Sequence, residues 1–268
     1  MKVIAYLITF LLFLSISGGN TILASSESAY KDYLFQYDQY RLKLNNFHVA
    51  RTEYLTYKTL LAETTALDTA RAMMVQRDDL LRSYILLLNE KINENNGMSD
   101  TDRKLYQTII KNESSYIQTH KTHMTSVGSL SDAEKISIDL QTHYPILNTS
   151  VHQILIALSL ADLSRMNKQF VSLQEIFRSS IQSNRSYLTP EKQTISDRWM
   201  IQISNKQNLY QQKVEQILLS SGRMKSDSPN EMQTLYGEIL KNLGDAKKYL
   251  SEGASYMQEL ANLLRYEE

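Results

Sequence analysis

The sequence predicts an all-α protein, an elongated antiparallel helical bundle or coiled coil with a very long first helix over about residues 28–95. Three observations carry this prediction. Chain breakers are scarce, helix-start signals recur, and apolar residues step by four and three over long stretches. Gly occurs 8 times and Pro 3 times in 268 residues, about a third of their ordinary combined share. Sheet folds and loop-rich enzymes need far more turn formers.

The first residues are a different material. Met1 and Lys2 precede the apolar run Val3–Ile16, which small and polar residues then close. This is the layout of a secretory signal, predicted over residues 1–24 with cleavage after Ala24. The alternative is an uncleaved N-terminal membrane anchor. A spanning helix needs about 20 apolar residues, and Ser17, Gly18, Gly19 and Asn20 cut the run short. Cleavage removes one basic residue, Lys2, and no acidic one, so a formal charge of zero becomes slightly negative. Residues 25–268 are expected to form a single elongated helical-bundle domain.

From Ser28 to Asn95 there is neither Gly nor Pro, hence the long first helix. Its seam is Tyr30, Tyr33, Tyr37, Tyr40, Leu44 and Phe47, and its phase shifts after Tyr57 through "LAETTALDTA". That shift predicts a change of partner helix near residues 60–70. Four start signals follow, at Ser99, Ser131, Thr189 and Ser228. Each pairs a Ser or Thr able to cap free N–H groups with acidic residues in the first turn. Ser131 with Glu134 has capping-box spacing, and Pro190 and Pro229 fall at first helical positions. Helices are thus predicted over about 100–127, 132–183, 190–221 and 229–266. Pro145 should break or kink the second of these, with a restart at Thr149 or Ser150. The last helix has a seam of Met232, Tyr236, Ile239, Leu243, Ala246, Leu250, Gly253, Met257, Leu260 and Leu264, a sustained heptad pattern. By length, residues 28–62, 149–183, 190–221 and 229–266 should form a four-helix bundle. "VHQILIALSLADL", Val151–Leu163, is short and carries polar residues, and reads as a buried core helix.

Composition excludes several functions. The chain has no Cys, so thiol catalysis, cysteine metal centres and a lipid-modified cysteine are ruled out. Lys and Arg alternate with Asp and Glu, so nucleic-acid binding lacks its electrostatic footprint. No phosphate-cradling loop or nucleophile elbow is present. Asn112, Asn148 and Asn184 match the glycosylation acceptor pattern, at near-chance frequency for this composition.

Two residue sets are candidate sites. His120 and His123 lie three apart in "THKTHM", and His143 precedes Pro145. If the chain reverses at Gly128–Ser131, these three gather at one level as metal ligands, because bundles build metal sites from facing helices. The other set is Tyr30, Tyr33, Tyr37 and Tyr40, an interaction surface with apolar bodies and polar tips. Asp78 and Asp79 in "VQRDDLLRSY" point in different directions on a helix and read, with Arg77 and Arg82, as a solvated face. Trp199 reads as core.

The expectation is an exported, non-enzymatic helical bundle with a structural or protein-interaction role in the extracytoplasmic space or cell envelope. Its partner is a protein or a second copy through the heptad seams, with no cofactor. Membrane contact arises only through the N-terminal segment if uncleaved. The alternative is an extracytoplasmic small-ligand or metal-binding bundle.

Overall fold

The computed structural model describes residues 23–265, and its side chains from residue 25. The apolar run predicted as a signal lies outside the described residues. Every regular element within them is helical. They are α1 (Leu23–Tyr57), α2 (Leu60–Glu94), α3 (Asp100–His123), α4 (Leu130–Ser183), α5 (Pro190–Gly222) and α6 (Pro229–Arg265). Short 3-10 turns occupy Met124–Ser126 and Arg185–Tyr187. The chain divides into two compact units. One holds residues 23–158 with 225–229, and the other holds 159–224 with 230–265.

The long first helix is the main correction. The stretch 28–95 is two helices, because the chain turns at Lys58 and Thr59. Lys58 adopts φ 51°, a left-handed conformation that costs a non-glycine residue about 1 kcal/mol or more. The Thr59 side chain then accepts from Ala62 N at 3.2 Å and caps α2. The phase shift after Tyr57 therefore marks a hairpin and not a change of partner along one helix. Contacts at the end away from the turn and midway along α2 fix the antiparallel register. Ser25 Oγ donates to Glu90 Oε2 at 2.7 Å, Ser26 N to Glu94 Oε1 at 2.8 Å, and Gln76 Nε2 to Gln36 Oε1 at 2.6 Å. Ala50, Ala62, Ala66 and Ala70 are buried, and small side chains let helix backbones approach closely. The partner of α1 within its unit is thus α2.

Arginines of neighbouring helices satisfy carbonyls that helix ends leave free. Arg103 of α3 donates to Ile92 O, to Asn93 O at 3.0 Å and to Asn95 O at 2.7 Å, closing the end of α2. Arg71 of α2 donates to Val127 O beyond the end of α3. Ser99 caps α3 as predicted, accepting from Asp102 N at 3.1 Å.

At Gly128 the chain reverses. The cap of α4 is Ser129, not Ser131. Its Oγ accepts from Asp132 N at 3.1 Å and donates to Asp132 Oδ2 at 2.8 Å, so the box is shifted two residues earlier. Pro145 does not break α4, which runs unbroken through it. Buried Leu140 and Leu147 flank the proline, and Thr149 Oγ1 bonds to Pro145 O at 2.9 Å. Packing on both sides outweighs one missing hydrogen bond. By length and composition α4 is also apolar enough to cross a membrane. Its stretch 151–163 buries Ile154, Ile156, Ala157, Ala161 and Leu163 within the protein.

In the C-terminal unit the core residues recur every seven positions. Leu163, Phe170 and Phe177 do so on α4, and Ser196, Ile203, Tyr210 and Ile217 on α5. On α6 the buried residues are Met232, Leu235, Ile239, Leu243, Ala246, Leu250, Gly253, Met257 and Leu260. This is the predicted seam, except that Leu235 replaces Tyr236 as the buried residue and Leu264 at the far end is only half-buried. Gly253 is required by its neighbour. A Cβ there would stand 2.6 Å from Phe170 Cε2 and 2.7 Å from Cζ. Trp199 is half-buried and packs against Tyr256, ring centroids 5.2 Å apart and planes tilted by 39°.

Candidate functional site

The polar chemistry of the N-terminal unit is concentrated inside it. Asp78, Ile85 and Ile92 lie seven apart on α2. Glu113 and His120 do so on α3, with Val127 seven further on just beyond it, and Ile136, His143 and Ser150 do so on α4. These are core positions, yet Asp78, Glu113 and His120 are buried polar residues at 0%, 7% and 1% exposure. An unpaired polar group at such depth is costly, and here each residue has a partner, although Asp78 Oδ1 makes no hydrogen bond of its own and faces Arg77 Nε at 3.7 Å.

Two acid–histidine pairs result. His120 Nδ1 lies 2.6 Å from Asp78 Oδ2, and its Nε2 lies 2.9 Å from Ile136 O. His143 Nε2 lies 2.8 Å from Glu113 Oε2, while Ser150 Oγ donates to Glu113 Oε1 at 3.1 Å. Tyr116 stands between the two imidazoles. Its ring centroid is 3.6 Å from His143 with planes 16° apart, and 6.3 Å from His120 with planes 24° apart. Its hydroxyl lies 3.3 Å from both Asp139 O and Asp139 Oδ2. Burial first, and then the Asp139 carboxylate, push the phenol up to about 12, so Tyr116 stays a neutral donor.

Electrostatics follow from the same geometry. Burial works against a charge on His120, but the Asp78 carboxylate and the Ile136 carbonyl outweigh it and raise its proton affinity. Arg77 Nε is 3.7 Å from Asp78 Oδ1, and burial lowers its affinity for the proton. Lys121 Nζ lies 2.5 Å from Asp79 Oδ1.

The three histidines predicted as metal ligands do not converge. The reversal at Gly128 does bring His120 and His143 to either side of Tyr116, but each has its own carboxylate. His123 is exposed on α3. Among the described residues no group of three metal-ligating side chains gathers. Both ring nitrogens of His120 already face protein oxygens, so a metal would have to displace them. Asp78 is the residue that sequence reasoning missed, having placed it on a solvated face. The signal was available: Met74, Asp78, Leu81, Ile85, Leu88 and Ile92 continue a four-and-three stripe along α2.

The four tyrosines occupy one side of α1. Tyr33 and Tyr40 are half-buried toward α2, and Tyr33 packs on Tyr84 at 5.3 Å. Tyr30 and Tyr37 are exposed and stand 6.4 and 6.5 Å from Tyr33. The Arg41 guanidinium lies 5.9 Å from the Tyr37 ring. The side of α1 away from α2 carries Phe35, Leu42 and Val49, seven residues apart and 58%, 52% and 60% exposed. In the C-terminal unit an open groove of about 540 Å³ lies against Ile181, Met200 and Ile201. Its arginines are already engaged, Arg178 with Glu175 and Arg185 with Asp197 in two parallel hydrogen bonds. Comparison with protein-family models, curated proteins and solved structures returns no match.

Proposed function

We propose that this is an exported, non-enzymatic helical-bundle protein that works by protein contact in the extracytoplasmic space or cell envelope. The observation that carries this reading is the outward side of α1. Three large apolar side chains seven residues apart, Phe35, Leu42 and Val49, line this side, on a helix that exposes eight large apolar or aromatic side chains in all. Scattered apolar residues are ordinary on a surface. Their concentration on one helix is the mark of an interaction face. The seven-residue spacing of Phe35, Leu42 and Val49 suits a helical, coiled-coil type of partner. The acid–histidine pairs support a structural role, because their polar atoms bond across helices and not toward a substrate cleft. The signal-like N-terminus supports export.

The test uses the exported protein in its native extract. Leu42→Asp and Val49→Asp leave the core untouched and should fold with an unchanged circular dichroism spectrum. Both are expected to shift the protein from a larger assembly to the single-chain position on native sizing. Native protein that already runs as a single chain, or variants that remain in the assembly, would overturn the proposal. Sequencing of the mature N-terminus is expected to begin near Ser25.

A further inference from the structure

His120 sits between two oxygens. Nε2 faces the Ile136 carbonyl at 2.9 Å. A carbonyl oxygen only accepts, so Nε2 must carry a hydrogen. A neutral imidazole then has a bare lone pair at Nδ1, which faces the Asp78 carboxylate at 2.6 Å. An ionised carboxylate has no hydrogen to offer either. The contact therefore needs one proton more than a neutral ring and a carboxylate supply together. That proton lies between Nδ1 and Oδ2, and both side chains are fully buried.

We propose that this trapped proton is a pH-operated fastener of the N-terminal unit, tying α3 to α2 and to α4 at the same level. Removing it must break one of the two ties. If the ring keeps its hydrogen on Nε2, Nδ1 and Asp78 Oδ2 face each other as two acceptors. If the ring changes tautomer, Nε2 and the Ile136 carbonyl do so. A buried acceptor-to-acceptor contact is repulsive and unsolvated, so α3 releases one neighbour or the other.

The surrounding charges set the direction. On α2, Arg77 opposes a charge on the ring, and its own field is divided between Asp78 and the nearby Tyr40 of α1. Asp79 is engaged by Lys121 of α3. Glu113 of α3 is held by His143 and Ser150 of α4. Asp139 of α4 lies against the Tyr116 hydroxyl. Asp78 is the one carboxylate in contact with the ring. Burial resists the charge, the two oxygens favour it more strongly, and the net effect raises the ring's proton affinity. The extra proton is therefore held to a higher pH than an ordinary histidine holds it, and the fastener opens as the pH rises.

Proton NMR of the whole protein tests the proton count. At about pH 7, where an ordinary histidine is mostly neutral, two exchange-protected ring hydrogens are expected for His120. The hydrogen on Nδ1 should disappear in alkaline solution. A single ring hydrogen at neutral pH would overturn the proposal. Amide hydrogen exchange tests the consequence. As the pH rises from the titration of an exposed histidine up to the transition, protection in residues 74–82 and 133–140 should fall by up to about tenfold per pH unit, after correction for the intrinsic rate, and level off above it. Asp78→Asn supplies the control, since its amide can donate to a neutral ring and keep both ties without the extra proton. That variant should show no such transition. An unchanged transition in Asp78→Asn would also overturn the proposal, and the proton count on the native protein decides the matter if the variant does not fold.

Discussion

Gly253 and Gly244 lie on the same helix, and the same substitution should act on them in opposite directions. A Cβ added at Gly253 comes within 2.6 Å of Phe170 Cε2, 2.7 Å of Phe170 Cζ and 3.3 Å of Lys206 Cβ. At Gly244 it meets nothing within 4 Å. Carbon atoms pack at about 3.5–4.0 Å, so Gly253→Ala demands a shift of about 1 Å in the ring or the helix. Overpacking of this kind costs about 1–3 kcal/mol. Alanine returns about 1 kcal/mol of helix propensity at either position. Gly244→Ala should therefore stabilise by about 1 kcal/mol, and Gly253→Ala should be neutral or destabilise by up to about 2 kcal/mol. The difference between the two variants isolates the overlap, about 1–3 kcal/mol. Trp199 is the one tryptophan of the chain and packs against Tyr256 of α6, three residues beyond Gly253. Its fluorescence during denaturant unfolding therefore reads the right unit. Phe170→Leu should relieve the penalty, so the Gly253→Ala change costs less in that background. Equal stabilisation by both glycine substitutions would refute the packing described for α4 and α6.

Other outcomes follow from single contacts. Ser129→Ala should cost about 1 kcal/mol of stability through the lost cap, and Ser131→Ala almost nothing, as measured by denaturant unfolding. Glu113→Ala strands His143 and Ser150 and should cost about 1–3 kcal/mol, with the loss confined to residues 110–150 in hydrogen exchange. Glu113→Gln retains an acceptor and should cost less. Arg103→Ala frees the carbonyls at the end of α2 and should speed amide exchange there without changing exchange in α6. The raised proton affinity of His120 fixes a sign. A group charged more readily in the folded state contributes stability below its unfolded-state titration, and that contribution is lost as pH rises through its folded one. The thermal midpoint should therefore fall as pH rises above neutrality, and the fall should be absent in Asp78→Asn.

Much of the helical layout was legible because helices are punctuated by local chemistry. Ser99, Thr189 and Pro190 mark starts that depend on neighbouring residues alone, and the heptad of α6 reads directly as its buried seam. The hairpin at Lys58 was not legible, because nothing there is a breaker. Lys58 takes a left-handed conformation that the sequence does not advertise, and the compensating contacts, Ser26 with Glu94 and Gln36 with Gln76, lie 68 and 40 residues apart. Pro145 misled in the other direction, since a local cost was overridden by burial of Leu140 and Leu147. The site divides along the same line. Glu113, Ile117, His120, Met124 and Val127 step by four and three, a spacing that puts Glu113 and His120 on an inward stripe. Their partners Asp78 and Ile136 depend on how three helices meet, which periodicity along one helix cannot reveal. Of the histidines predicted as a metal set, His120 and His143 each met a carboxylate of its own, and His123 faces outward.

The account of function rests on the outward side of α1, and site-specific photo-crosslinking from that side tests it most directly. A photoreactive amino acid replaces Leu42 in the full chain, in its native extract, with Lys247 on the exposed side of α6 as the control position. The account predicts one discrete adduct from Leu42 and none from Lys247, with an adduct of twice the chain's mass identifying a second copy as the partner. Equal labelling from both positions, or no adduct from Leu42, would contradict it.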